Sequence, residues 1–167
     1  ARDGRIYVAT GPHGWMGIGR SDDGGRTWTW LDGESRGLPA APGWGRDRPG
    51  AIHAHPERSE RAWVVIEGDL LATTDAGATW RAVPEIHEAG WIADRPGTPD
   101  TLFVSTARGA FRSTDAGASF HPIGGPANAG RITADHRGRL LLAAHQGERP
   151  GVWRWEEEEG RWSRLLD

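Results

Sequence analysis

Apolar residues along this chain come in short runs. The longest are about five residues, at 62–66 and 140–144, set between positions rich in Gly, Pro, Asp, Ser and Thr. Runs of that length between turn residues read as strands rather than helices. Runs at 17–21, 69–73, 109–113 and 151–155 each lead into the same kind of octapeptide, and runs at 79–83 and 119–123 leave it.

The octapeptide is the main signal. Ser21-Asp22-Asp23-Gly24-Gly25-Arg26-Thr27-Trp28 recurs as Thr73-Thr74-Asp75-Ala76-Gly77-Ala78-Thr79-Trp80 and as Ser113-Thr114-Asp115-Ala116-Gly117-Ala118-Ser119-Phe120. A degenerate fourth copy is Trp155-Glu156-Glu157-Glu158-Glu159-Gly160-Arg161-Trp162. The shared pattern is S/T-x-D-x-G-x-S/T-aromatic. Its Asp can accept N–H bonds from the turn that follows. The Gly two residues on can take positive φ where a hairpin reverses. The Ser/Thr begins the returning strand, and the regular recurrence of the aromatic marks it as core.

The terminal aromatics stand at 28, 80, 120 and 162, intervals of 52, 40 and 42 residues. That spacing matches one four-stranded propeller blade per repeat. The expected fold is all-β, a β-propeller of four-stranded antiparallel blades. About four blades are expected, at 5–31, 51–83, 90–123 and 130–165. The first lacks an innermost strand. Three arrangements stay open: an excerpt of a longer propeller, a small four-bladed ring, or a half-propeller completed to about eight blades by a second copy. Gly-rich ends without a cap favour the homodimer if 167 residues are the whole molecule.

Composition narrows the chemistry. The net charge is −3, and all twenty basic residues are Arg. Such a balance leaves no broad footprint for nucleic acid. Without Cys, disulfide scaffolds, thiolate zinc sites, Cys nucleophiles and iron–sulfur clusters drop out. Without Lys, a G-x-x-x-x-G-K-[ST] phosphate loop cannot be built. No apolar run approaches the ~18 residues of a membrane-spanning helix. Ten Trp argue against disorder. His53 and His55 share one side of a strand, but no third ligand accompanies them, so they read as packed residues. Glu156–Glu159 reads as a solvated hairpin turn. No cofactor, metal site or compartment is indicated.

The octapeptides resemble the Asp-box, or BNR, repeat of sialidases, family-74-type xyloglucanases, sortilin-like receptors and photosystem II assembly factors. The wording around 99–105 and 109–113 looks most like bacterial BNR or glycosyl-hydrolase-like propellers. In those families the box is a structural turn, which assigns Ser21, Asp23, Gly25, Thr27, Trp28, Thr73, Asp75, Gly77, Thr79, Trp80, Ser113, Asp115, Gly117, Ser119 and Phe120 to architecture. The resemblance also implies a functional face opposite the turns, made by the loops between second and third strands and by the connections between blades. On that face fall His13, Trp15, Trp44, Arg46, Arg48, His87, His145 and Arg149 as candidate ligand-binding residues. Asp47, Glu85, Glu88 and Glu148 fall there as candidate catalytic acids.

The resemblance leaves two readings. The favoured one is a non-catalytic module binding a protein or carbohydrate ligand, with Trp15 and Trp44 as aromatic anchors and Arg46, Arg48 and Arg149 for anionic groups. The other is a glycoside hydrolase, sialidase-like or xyloglucanase-like, or a fragment of one, working through two loop carboxylates. Sialidases use a late Tyr nucleophile, whereas the one Tyr here, Tyr7, comes early. Arg5-Ile6-Tyr7 is similar to the Arg-Ile-Pro motif of that family but lacks its Pro. Tyr7 therefore reads as a strand residue.

Overall fold

The structure, a computed structural model, describes residues 4–10, 17–31, 36–38, 49–146 and 149–166. Within it the three well-formed octapeptides close through the same bonds. Ser21 Oγ donates to Asp23 Oδ1 (2.8 Å) and accepts from the Gly25 N–H (2.8 Å). Asp23 then accepts the Thr27 N–H (2.9 Å) and the Thr27 hydroxyl (2.7 Å), one on each carboxylate oxygen. Thr73, Asp75, Gly77 and Thr79 repeat the set at 2.8, 2.9, 2.8 and 2.6 Å. Ser113, Asp115, Gly117 and Ser119 repeat it at 2.7, 2.8, 3.0 and 2.6 Å. The reversal needs two consecutive left-handed residues: Gly24 and Gly25 (φ 74° and 94°), Ala76 and Gly77 (60° and 82°), Ala116 and Gly117 (57° and 76°).

This bonding sets the acid behaviour of the turns. The Thr27 N–H and hydroxyl and the Ser21 hydroxyl hold Asp23 at about 2. Burial pushes Asp115 up, but the Ser119 hydroxyl and N–H and the Ser113 hydroxyl outweigh it and bring the carboxyl to about 2. Asp75 is lowered by the matching groups of Thr79 and Thr73, again against burial. A folded value below the unfolded value of about 3.9 means that the unfolded chain takes up protons first. The stabilisation is present above about pH 4 and is lost as pH falls toward about 2. Urea midpoints are expected to drop over that window, with a shallower drop in Asp115→Asn. Midpoints that stay level from about pH 5 to 2 would contradict the assignment.

Between the turns the strands pair in chain order. β1 (Ile6–Thr10), β2 (Gly17–Ser21) and β3 (Thr29–Trp30) make a three-stranded sheet, blade 1. Blade 2 is β4 (Pro49–Ala54), β5 (Ala62–Ile66), β6 (Asp69–Thr73) and β7 (Arg81–Ala82). Blade 3 is β8 (Ala89–Arg95), β9 (Thr98–Thr106), β10 (Gly109–Ser113) and β11 (His121–Gly124). Blade 4 is β12 (Ala129–Ala134), β13 (Leu140–Gln146), β14 (Arg149–Glu156) and β15 (Arg161–Leu166). Every pairing is antiparallel. The outer strands β7 and β11 start two residues later than the sequence pattern indicates. Thr79 and Ser119 direct their N–H groups to the Asp of the turn instead of to the ladder.

The chain divides into two compact units, Ala1–Pro84 and Glu85–Asp167. In the first, Tyr7, Ile18 and Leu31 of blade 1 pack on Val64, Leu71 and Trp80 of blade 2. Arg20 reaches from β2 to the Ala76 carbonyl of the next turn (2.6 Å). In the second, Phe103 and Ala110 pack on Ile132, Leu140 and Leu142. There Arg112, one residue before its turn as Arg20 is, pairs with Glu157 (2.6 Å), which also holds Arg95 (2.8 Å).

Two expectations need correcting. Glu156–Glu159 is not simply a solvated acidic turn. Glu157 pairs with Arg95 and Arg112, Glu156 with Arg154, and Glu159 with Arg161. Nor is every terminal aromatic core. Trp80 and Phe120 are buried, but Trp28 is 41% exposed and donates its indole N–H to the Gly25 carbonyl.

Candidate functional site

The end of each blade opposite the turns is where the inner strand begins and the second strand turns into the third. In the second unit three elements meet there. Residues 107–108 link β9 to β10, the Ala107 N–H donates to the Glu88 carbonyl (3.0 Å), and the Asn128 N–H donates to the Ala107 carbonyl (2.8 Å). The starts of β8 and β12 are thereby fixed beside one loop. Glu88 (φ 54°) and Asn128 (φ 53°) are both left-handed where the chain enters its inner strand.

Just inside those starts, Gly90-Trp91 and Gly130-Arg131 stand at equivalent places. The Arg131 guanidinium carbon lies over the Trp91 ring, 4.7 Å from its centroid, a cation–π contact. Among the described residues Arg131 has no carboxylate partner. It lines a cleft of about 480 Å³ with Gly130, Ala143, Ala144, His145, Pro150, Gly151 and Val152. A side chain at Gly130 would come within 3.1 Å of the Ala143 carbonyl, and one at Gly151 within 2.7 Å of the Trp153 ring. The cleft thus combines an apolar wall with one fixed cation and one exposed imidazole, His145.

The sequence-predicted residues divide as follows. His145 lines the cleft. Glu85, His87 and Glu88 are exposed on the connection into β8. Glu88 is paired with Arg108 (3.1 Å), both well exposed. Arg149 is the first residue of β14. His13, Trp15, Trp44, Arg46, Asp47, Arg48 and Glu148 lie outside the described residues. Trp91 and Arg131 were not among the candidates. Their one signal is a large side chain directly after the Gly that opens an inner strand.

Other candidate chemistry resolves into structure. His55 is buried, and its Nδ1 accepts the Glu57 and Arg58 N–H groups (3.1 and 3.0 Å). Asp135 does the same at the matching place in blade 4, taking the Arg137 and Arg139 N–H groups (both 2.9 Å). Both cap the loop between first and second strands. Tyr7 donates its hydroxyl to the Ser59 carbonyl (2.8 Å), and burial pushes its phenol above the usual range, opposite to an activated nucleophile. Among the described residues no three His, Asp or Glu gather as a metal site.

No family model matches the chain. It is similar to a xyloglucanase of Hypocrea jecorina, 35% identical over 78 residues, a stretch that takes in 44% of the chain and 9% of that protein. Among solved structures it is similar to a GH74 enzyme of Niastella koreensis (TM-score 0.71, 18% identity, 98% of this chain and 28% of that one). It is also similar to YCF48 of Cyanidioschyzon merolae (TM-score 0.62, 14% identity, 98% of this chain and 52% of that one). The chain therefore spans a small part of the enzymes it matches and about half of YCF48. With these likenesses and its antiparallel sheets, the chain is an all-β protein of β-propeller fold with about four blades.

Proposed function

We propose that this chain is a non-catalytic Asp-box, or BNR-type, propeller module that binds a protein or carbohydrate ligand on the face opposite its octapeptide turns. The observation that carries this reading is the cleft at Arg131, whose guanidinium lies over the Trp91 ring, without a carboxylate partner among the described residues, in a lining that includes His145. A preplaced cation against an apolar wall orients an anionic or hydrogen-bonding ligand at small entropic cost. The turns support the assignment from the other side, since each Asp carboxylate is engaged by its own loop.

The xyloglucanase likeness favours a second reading, a glycoside hydrolase or a fragment of one, using acids among Asp47, Glu85, Glu88 and Glu148. The two separate on a glycan array, a peptide library and a panel of aryl glycosides and xyloglucan. Binding without turnover is expected. Arg131→Ala and His145→Ala should each weaken the best hit by roughly tenfold while leaving the thermal midpoint in place. Turnover that disappears in Glu85→Gln or Glu88→Gln would replace the binding reading with the hydrolase.

A further inference from the structure

The fourth octapeptide aligns with the other three on its last aromatic, Trp162. That alignment puts Glu157 where Asp23, Asp75 and Asp115 stand. Those three carboxylates close their own turns. The Glu157 carboxylate instead leaves its turn and reaches the preceding blade, one oxygen to Arg95 of β8 (2.8 Å) and the other to Arg112 of β10 (2.6 Å). The local work passes to its neighbours. The Gly160 N–H donates to the Glu156 carbonyl (2.9 Å), Glu156 pairs with Arg154 (2.6 Å), and Glu159 pairs with Arg161.

The first unit shows what this exchange changes. Arg20 and Arg112 each stand one residue before their octapeptide, and each reaches the turn of the next blade. Arg20 ends on the Ala76 backbone carbonyl (2.6 Å), an acceptor that takes up no proton in the ordinary pH range. Its carboxylate partner, Asp22, belongs to its own turn. Arg112 ends on a carboxylate, which one proton neutralises. The seam between blades 3 and 4 therefore hangs on a titratable acceptor, whereas the arginine of the seam between blades 1 and 2 does not.

The surroundings give that proton an effect. Arg95 and Arg112 are 18% and 29% exposed, and their Nε atoms are buried without a hydrogen-bond partner among the described residues. Both guanidinium carbons lie near the Phe103 ring, 5.2 and 6.0 Å from its centroid. Among the described residues no other carboxylate pairs with either one. Asp94, next to Arg95, shares a register position with Leu102, on the opposite face of the sheet from Phe103. The loop between β12 and β13 sets Gly138 against the Arg95 stem, but its Asp135 is taken by Arg139. His136 and Arg137 of that loop, and His121 opposite Arg112 on β11, bring only positive charge. On the turn itself Glu156 and Glu159 are paired, and Glu158 is exposed. A neutral Glu157 thus leaves two half-buried cations beside one ring with nothing to balance them, which is the costly way to break such a pair. One further tie joins the turn to blade 3: the Trp162 indole N–H donates to the Ile123 carbonyl of β11 (3.1 Å).

We propose that Glu157 makes the seam between blades 3 and 4 an acid-released latch: protonation of its carboxyl frees the fourth turn from Arg95 and Arg112 and loosens the Trp162 tie, while the three well-formed octapeptide turns stay closed. The apolar contact of Phe103 with Ile132, Leu140 and Leu142 remains, so the event is local. Burial pushes Glu157 up, but the two arginines outweigh it and hold the carboxyl below its usual range, so release falls below about pH 4. Asp23 and Asp115, held at about 2, keep their charge through that step.

Nitrogen–proton correlation NMR of the 167-residue chain tests this, with the Trp162 indole signal assigned through Trp162→Phe. As pH falls from about 6 to 3, that signal should move upfield toward the position of an unbonded indole. The Thr79 and Ser119 amide signals, which report the octapeptide turns, should hold over the same interval and move only nearer about pH 2. Glu157→Gln should place the indole signal at its acid position already at about pH 6 and remove the response. Arg112→Gln keeps one of the two partners and should shift the midpoint of the wild-type change to higher pH, which also serves as the test if Glu157→Gln loses the turn amides and fails to fold. Three results would each overturn the proposal. One is a wild-type indole that moves only together with the turn amides. Another is a Glu157→Gln chain that responds like wild type, which would put the response on Glu156. The last is an Arg112→Gln midpoint that does not move.

Discussion

Gly77→Val is expected to destabilise the chain by about 3–4 kcal/mol. Two effects combine. Gly77 sits at φ 82°, where a β-branched residue is strained by about 1–2 kcal/mol. An added Cβ would also stand 2.4 Å from Leu31 Cδ1, and Leu31 is itself buried against Ile18 and Trp80, so it has nowhere to withdraw. Overpacking of that kind costs about 1–3 kcal/mol. Gly24 provides the contrast. Its φ is 74°, but nothing lies within 4 Å of a Cβ there. The equivalent places in the other turns already hold Ala76 and Ala116, left-handed at 60° and 57°. Gly24→Ala should therefore cost about 1 kcal/mol or less. Urea unfolding of the two variants decides the point. Equal losses would mean that the Leu31 contact carries no weight.

Why the architecture was readable and the site was not follows from where each kind of information resides. The turn requires an acceptor, a left-handed residue and a donor within a few positions, so Asp75, Gly77 and Thr79 announce it without knowledge of anything distant. The strand runs beside it follow from the same short range. The strand edges were misplaced because Thr79 and Ser119 belong chemically to the turn, a competition that apolar patterning does not register. The cleft depends on Arg131 of β12 lying over Trp91 of β8, forty residues apart in sequence. Nothing local distinguishes that arginine from one facing solvent. Loop length directed attention to His145, which does line the cleft, and to Glu88, whose carboxylate goes to Arg108. Trp28 shows the limit of periodicity: the repeat assigns it to a core, but a position becomes core only when another surface covers it.

Phe103→Ala is expected to have the largest effect, about 4 kcal/mol, because a fully buried ring leaves a cavity that β9 cannot close. The ring also does something beyond filling space. The guanidinium carbons of Arg95 and Arg112 lie 5.2 and 6.0 Å from its centroid, and Glu157 ties both arginines from the blade 4 turn. Two like charges share one aromatic ring, and one carboxylate pairs with both. Burial pushes Glu157 up, but Arg95 and Arg112 together hold its carboxyl below the usual range. With the ring gone, the arginines lose the surface that fixes their geometry, and the pairs become ordinary exposed ion pairs worth ~1 kcal/mol or less. Phe103→Ala and Glu157→Gln should therefore be non-additive, the second substitution costing about 1 kcal/mol less once the first is made. Phe103→Leu keeps most of the volume and should cost about 1.5 kcal/mol or less. Denaturant midpoints of the four members of the cycle test this. Strict additivity would show that Phe103 acts as filler alone, with the arginines positioned by the strands that bear them.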